Sequence, residues 1–169
     1  IVNGLVGSEM CIRDSLNKVS SAKPKIADYP FTTLRPHLGT IKYSDNSFVI
    51  ADIPGIIEGA SDGHGLGIKF LKHISRTGIL LFFLEAFSEI SVQDQFLKLK
   101  KELGDFSEKL LEKEFYIVVT KIDLIDEETR FETLNTFNSK EFANVFGISS
   151  VTGEGVQELL DDISRTIFI

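Results

Sequence analysis

The chain is short of cysteine, of positive charge and of long apolar runs. Cys11 is the sole cysteine in 169 residues, which excludes a disulfide framework and argues against a cysteine-built metal site. Lys plus Arg number 18 against 25 Asp plus Glu, a formal charge of −7. So acidic a chain does not hold bulk nucleic acid by counterion release alone, although a local basic patch could still touch it. The longest continuous apolar run, Ile79–Leu84, is far too short to span a bilayer. No charged-then-apolar signal segment opens the chain, so a cytoplasmic address is expected. Internal repeats and low-complexity tracts are missing too. No G-x-G-x-x-G follows a first strand with an acidic residue about 20 positions on, which sets aside a dinucleotide-binding oxidoreductase.

What is present suits one globular domain with a real core: 43% of residues are apolar and 25% charged. Leu38–Tyr43 and Ser47–Asp52 are short β-rich runs around Ser44-Asp45-Asn46, a turn signal, and predict a hairpin. Ile79–Leu84, Phe115–Val119 and, more weakly, Phe142–Ile148 are continuous apolar runs, as in strands buried on both faces of a parallel sheet. Ile1–Val6 is a candidate first strand. Phe96, Leu99, Leu103, Phe106 and Leu110 recur at helical spacing, as do Val156, Leu159, Leu160, Ile163 and Ile167; Ile68–Arg76 is a shorter candidate helix. The sum is a layered α/β domain with a mostly parallel sheet and helices on both faces. Ligands of such folds bind outside the carboxyl ends of the strands.

Those ends carry polar loops. Asp52-Ile53-Pro54-Gly55 leaves one strand; an Asp there can hold magnesium through water, and the glycine lets a backbone N–H approach a terminal phosphate, though Pro and Gly also serve as plain strand breakers. Thr120-Lys121-Ile122-Asp123 leaves another. Its carboxylate can accept two hydrogen bonds from the amino and imino edge of guanine, a donor pair that adenine lacks; alternatively Lys121 and Asp123 are a solvated pair. Ser149-Ser150-Val151-Thr152-Gly153-Glu154-Gly155 offers small residues that can close on a base edge, or an ordinary helix-capping loop with Thr152 at the cap. Upstream, Tyr29-Pro30-Phe31-Thr32-Thr33 can place a hydroxyl on magnesium or be a surface loop. Gly59–Gly67 is glycine-dense; His64 within it reads better as a loop histidine than as a catalytic base, because it has no visible partner. Each block alone is weak. Their order is that of the phosphate-sensing and guanine-reading loops of a small GTPase.

On these blocks the chain resembles the Obg family of GTPases over about residues 16 to 169. Lys23 to Leu34, with Phe31-Thr32-Thr33-Leu34, is similar to the first switch of that family. Asp52 to Ser61, Gly65-Leu66-Gly67 and Phe70 to Ile74 are similar to its second switch. Thr120 to Asp123 resembles its guanine motif, where Asn more often stands first, and Ile148 to Gly155 its last nucleotide loop. The resemblance implies a P-loop NTPase-like small GTPase domain, with a mostly parallel six-stranded sheet flanked by helices. It implies binding of GTP and GDP, hydrolysis with Mg2+ often aided by a monovalent cation such as K+, and work on large ribosomal subunit assembly. A monomer without a membrane span is expected. Phe31, Thr32, Thr33, Leu34, Asp52, Ile53, Pro54, Gly55, Thr120, Lys121, Ile122, Asp123, Ser149, Ser150 and Val151 would bind nucleotide, with Thr33 and Asp52 the metal ligands. Ile56 stands where many GTPases place a water-orienting Gln; an aliphatic side chain cannot do this, so turnover would be slow and rely on metal ions and backbone.

The first motif of such a domain is missing. G-x-x-x-x-G-K-[ST] supplies an anion nest, a lysine on the β- and γ-phosphates and a hydroxyl on magnesium. Here Gly4 to Lys18 offers Gly7 as a first glycine, but no second glycine and no lysine at the required spacing. Glu9 and Asp14 would bring negative charge toward phosphates, and Arg13 is one position off as a lysine substitute. The pattern resumes sharply at Leu16-Asn17-Lys18-Val19-Ser20, so residues 1–15 read as an aberrant segment ahead of a G domain at 16–169, resembling translated adapter or a mis-joined 5′ end. With Ile rather than Met at position 1 and no glycine-rich N-terminal domain, a fragment is expected. Two functions follow: a GTPase switch impaired in nucleotide binding as written, or a nucleotide-free pseudo-GTPase module that docks on ribosome or protein.

Overall fold

The computed structural model describes residues 2–7, 25–26, 37–43, 46–52, 77–137, 142 and 144–168. Its strands are β1 (Val2–Gly7), β2 (Lys25–Ile26), β3 (His37–Tyr43), β4 (Asn46–Asp52), β5 (Thr77–Glu85), β6 (Glu114–Thr120) and β7 (Val145–Gly147). They make one sheet in the order β2-β3-β4-β1-β5-β6-β7. Among the described residues the sheet therefore has seven strands, where the resemblance implies six. The added β2 is two residues long, too short to leave a hydropathy pattern, and pairs antiparallel with β3. β3 and β4 form the expected hairpin, and β1, β4, β5, β6 and β7 run parallel.

Four helices are described: α1 (Val92–Phe106), α2 (Glu108–Leu111), α3 (Glu127–Asn135) and α4 (Val156–Phe168). The periodic stripe from Phe96 to Leu110 suggests one helix, but the helix stops at Phe106. Ser107 is extended (φ −166°, ψ 115°) and its N–H caps Leu103 O at 2.8 Å. Gly104 permits the fold-back: a Cβ there would sit 3.0 Å from the Leu111 Cδ1 atom. Leu110 still reaches the same core from the second helix. The weak run Phe142–Ile148 yields a strand of only three residues. Phe142 is apolar because its ring packs on Phe96, Phe115 and Phe137, not because it lies in the sheet. The candidate helix Ile68–Arg76 lies outside the described residues, as do Tyr29–Leu34, Ile53–Gly55, Ile56, His64 and residues 8–15.

Alternation along the strands divides the core in two. Leu80, Phe82 and Leu84 of β5, with Ile117 and Val119 of β6, pack under Val92, Phe96, Leu99 and Leu103 of α1. Ile79, Leu81 and Phe83, with Tyr116 and Val118, pack with Ile41, Phe48 and Ile50 of the hairpin against Val156, Leu159, Leu160 and Ile163 of α4. Helices thus cover both faces, and β5 and β6 read as continuous apolar runs because neither face meets water. Covering both faces leaves the strand ends as the polar frontier of the domain.

Candidate functional site

Strand register brings the predicted loops to one edge. Leu5 of β1 lies opposite Asp52, the last residue of β4; Gly7 opposite Phe83; Glu85 opposite Thr120; Val119 opposite Gly147. Asp52, Thr120–Asp123 and Ser149–Val151 therefore follow the carboxyl ends of parallel strands on the same side of the sheet. The other predicted nucleotide-binding positions, Phe31, Thr32, Thr33, Leu34, Ile53, Pro54 and Gly55, lie outside the described residues.

The loop after β6 is built by side chains that hold backbone. Thr120 is buried, and its hydroxyl donates to Leu84 O at 3.1 Å, while Ala86 N donates to Thr120 O at 3.0 Å. A short side chain with a hydroxyl suits that role. Lys121 adopts the left-handed conformation (φ 60°, ψ 33°), the one described non-glycine residue with positive φ. Strain of this kind gathers at functional sites. The turn directs the chain into a 3-10 segment, Ile122–Leu124, and the Lys121 ammonium pairs with the Glu85 carboxylate. Glu85 is itself held by Gln95 of α1, which accepts from Glu85 N at 2.8 Å and donates to Glu85 O at 2.9 Å. Ile122 is buried, and Asp123 beside it is exposed, its carboxylate turned out of the core.

The loop after β7 closes tightly. Ser149 is fully buried; its N–H donates to Glu154 O at 3.0 Å, its hydroxyl accepts from Thr152 N at 3.1 Å, and its carbonyl accepts from Gly153 N at 2.9 Å. Ser150 is half-buried and Val151 is exposed. Gly155 (φ 69°) passes so close to β7 that a Cβ would lie 2.0 Å from Gly147 O, so only glycine fits. The two loops touch: Ile122 N donates to Ile148 O at 3.3 Å, and Ile148 N to Val119 O at 2.8 Å.

Three contributors, Glu85, Gln95 and Arg130, escape sequence reasoning. Glu85 and Lys121 are 36 residues apart, and Arg130 meets Glu154 across 24. Helix α3, which carries Arg130, shows no apolar stripe because it has no buried residue; its one local signal is Asp126, whose carboxylate caps Thr129 N at 2.8 Å. That backbone hydrogen bond holds the Asp126 carboxyl below its ordinary range.

Among the described residues, no group of three or more His, Cys, Asp or Glu could hold a metal by itself. No helix among the described residues is long and apolar enough to cross a membrane.

Residues 15–121 match the family described as 50S ribosome-binding GTPase. The chain is 49% identical over 166 residues to the GTPase Obg of Chloroherpeton thalassium, covering 97% of this chain and 48% of that protein. It is 48% identical over 160 residues to the GTPase Obg of Parabacteroides distasonis, covering 94% and 41%. It thus spans about half the length of the curated relatives it matches. Among solved structures, a variant of Aquifex aeolicus Era bound to GDP and AlF4− superposes with a TM-score of 0.70 at 23% identity, over 97% of this chain and 56% of that one. The G domain of the T. maritima FeoB iron transporter superposes with a TM-score of 0.63 at 21% identity, over 98% and 97%. The structural matches show the fold alone, and the sequence matches narrow it: this chain belongs to the Obg family of GTPases and folds as a G domain.

Proposed function

We propose that the chain is a guanine-nucleotide switch serving large ribosomal subunit assembly, impaired in nucleotide binding as its sequence stands. Asp123 reads the base, Lys121 and Ile122 with Ser149, Ser150 and Val151 enclose it, and Phe31 to Leu34 with Asp52 to Gly55 face the phosphates. The observation that carries this reading is the shared edge, where Asp52, Asp123 and Ser149 follow the ends of β4, β6 and the short β7. Thr33 and Asp52 would hold magnesium, which when bound offsets charge on the phosphates and the leaving oxygen. Ile56 gives no hydrogen bond to water, so hydrolysis would be slow and sensitive to potassium. The ribosomal role rests on the family.

Residues 1–15 are the impaired part. Although β1 stands at the sheet centre, residues 8–15 carry no Gly-Lys-Ser. Charge-assisted hydrogen bonds are worth about 1.5–3 kcal/mol each, so loss of the nest and its lysine should cost several. The same absence favours a second reading, a pseudo-GTPase module that docks without nucleotide. Titration of a fluorescent guanine nucleotide tests both. The chain as it stands should bind weakly or not at all, and replacing residues 8–15 by Gly-x-Pro-Asn-x-Gly-Lys-Ser should restore binding. Tight binding without the replacement would overturn the impairment; none after it would overturn the switch. In the restored chain Asp123→Asn should weaken GDP at least about a hundredfold, because the amide sets a donor against guanine's donors.

A further inference from the structure

Arg130 spans both base-facing loops. Its Nη1 donates to Glu154 Oε1 at 2.5 Å, and its Nη2 to Glu154 Oε2 at 3.3 Å and to Ile122 O at 3.2 Å. Ile122 lies between Lys121 and Asp123, and the Glu154 carbonyl holds Ser149 N. One planar guanidinium thus ties the carbonyl next to the base-reading carboxylate to the turn beside Ser149–Val151. The backbone link between these loops, Ile122 N to Ile148 O, is long at 3.3 Å.

The helix that delivers Arg130 adds little to the core: Leu134 packs against it partly buried, and no residue is fully buried. Amphipathic helices turn apolar residues to the core and charge to water. Here the Arg130 side chain is 27% exposed, while its neighbour Phe131 is 70% exposed. Arg130 Nε is buried and makes no hydrogen bond, so the guanidinium is partly desolvated for the sake of its two partners. Lysine, a point charge on a flexible stem, cannot make the fork to a carboxylate and a carbonyl together.

We propose that Arg130 is a positioning residue that sets the register of the two base-facing loops, and that guanine selectivity depends on it. The selectivity half rests on the reading that Asp123 meets the base; the bracing half does not. Amide hydrogen exchange on the full chain without nucleotide tests the brace. Arg130→Ala should speed exchange about tenfold at Ile122, Ser149 and Gly153 together, the change that about 1.4 kcal/mol makes. Glu154→Gln, an exposed change that keeps the fold, should speed Ser149 and Gly153 more than Ile122. Unchanged exchange in both loops overturns the brace.

Competition between GDP and ADP in the chain with its phosphate loop restored tests selectivity. Arg130→Ala should lower the GDP-over-ADP preference about tenfold with ADP affinity unchanged, and Arg130→Lys should recover only part of it. A merely structural role would weaken both nucleotides alike, and an unchanged ratio overturns the selectivity claim. If Asp123→Asn leaves GDP affinity unaltered, the guanine reading has failed, and the exchange experiment still decides the brace.

Discussion

The two faces of the sheet are filled differently. Under α1, five phenylalanines interlock: the Phe96 ring lies 5.2 Å from Phe82, 5.5 Å from Phe142, 5.7 Å from Phe137 and 5.9 Å from Phe115. Under α4 the filling is largely aliphatic. The side chain with a polar tip there, Tyr116, stacks on Phe146 and bonds through its hydroxyl to Asp162 at 3.0 Å and Thr166 at 2.8 Å. β5 and β6 supply both faces much alike, so the contrast comes mainly from the segments packed on them: Phe96, Phe137 and Phe142 on one face, Ile41, Ile50 and the aliphatic residues of α4 on the other. It teaches that shape holds α1, while α4 is held by area plus a polar fastening that fixes its rotation.

Breaking the aromatic face should cost most. Phe96→Ala removes the ring that all four others touch and should destabilise the domain by about 4 kcal/mol in urea unfolding. On the other face Ile163→Ala should cost about 3 kcal/mol, because aliphatic neighbours can close partway over the gap. An Ile163 effect larger than that of Phe96 would reverse the contrast.

Tyr116→Phe should cost least, about 1 kcal/mol at neutral pH, by removing the fastening and leaving the stack. It should also leave a signature in pH. Burial pushes the Tyr116 phenol from its ordinary 10.0 up to about 12; the Thr166 hydrogen bond opposes this, and the hydrogen bond and charge of Asp162 add to it. The folded state thus holds this proton more tightly than the unfolded state. Its stabilising contribution is complete below pH 10 and is lost as pH rises through about 12. The gap in stability between the natural chain and Tyr116→Phe should be flat below pH 10 and shrink above it. A gap that stays constant to pH 12 would show the phenol to be less enclosed than its contacts imply.

Much of this architecture is legible from residue types. Ile79–Leu84 and Phe115–Val119 announce strands covered on both sides, and Val156 to Ile167 announces α4, since each pattern is local and repeats at the period of its element. The stripe from Phe96 to Leu110 misleads at Ser107, because periodicity does not register a helix that stops and restarts in phase. Helix α3 is silent because it buries no residue. At the site, Thr120 to Asp123 and Ser149 to Val151 are visible as blocks, yet Glu85, Gln95 and Arg130 are not, since nothing in local spacing links them to the loops they hold.

The sequence by itself determined the strand-forming runs, the polar blocks that follow them, the absence of a Gly-Lys-Ser phosphate loop and, through these blocks, the family. Only the tertiary structure decided that Asp52, Thr120 and Ser149 share an edge, that Lys121 turns through positive φ to meet Glu85, and that Arg130 joins Ile122 to Glu154. The reason is range. Hydropathy and turn chemistry act over a few residues, whereas ion pairs and carbonyl bonds form between whatever groups the sheet order brings within about 3 Å.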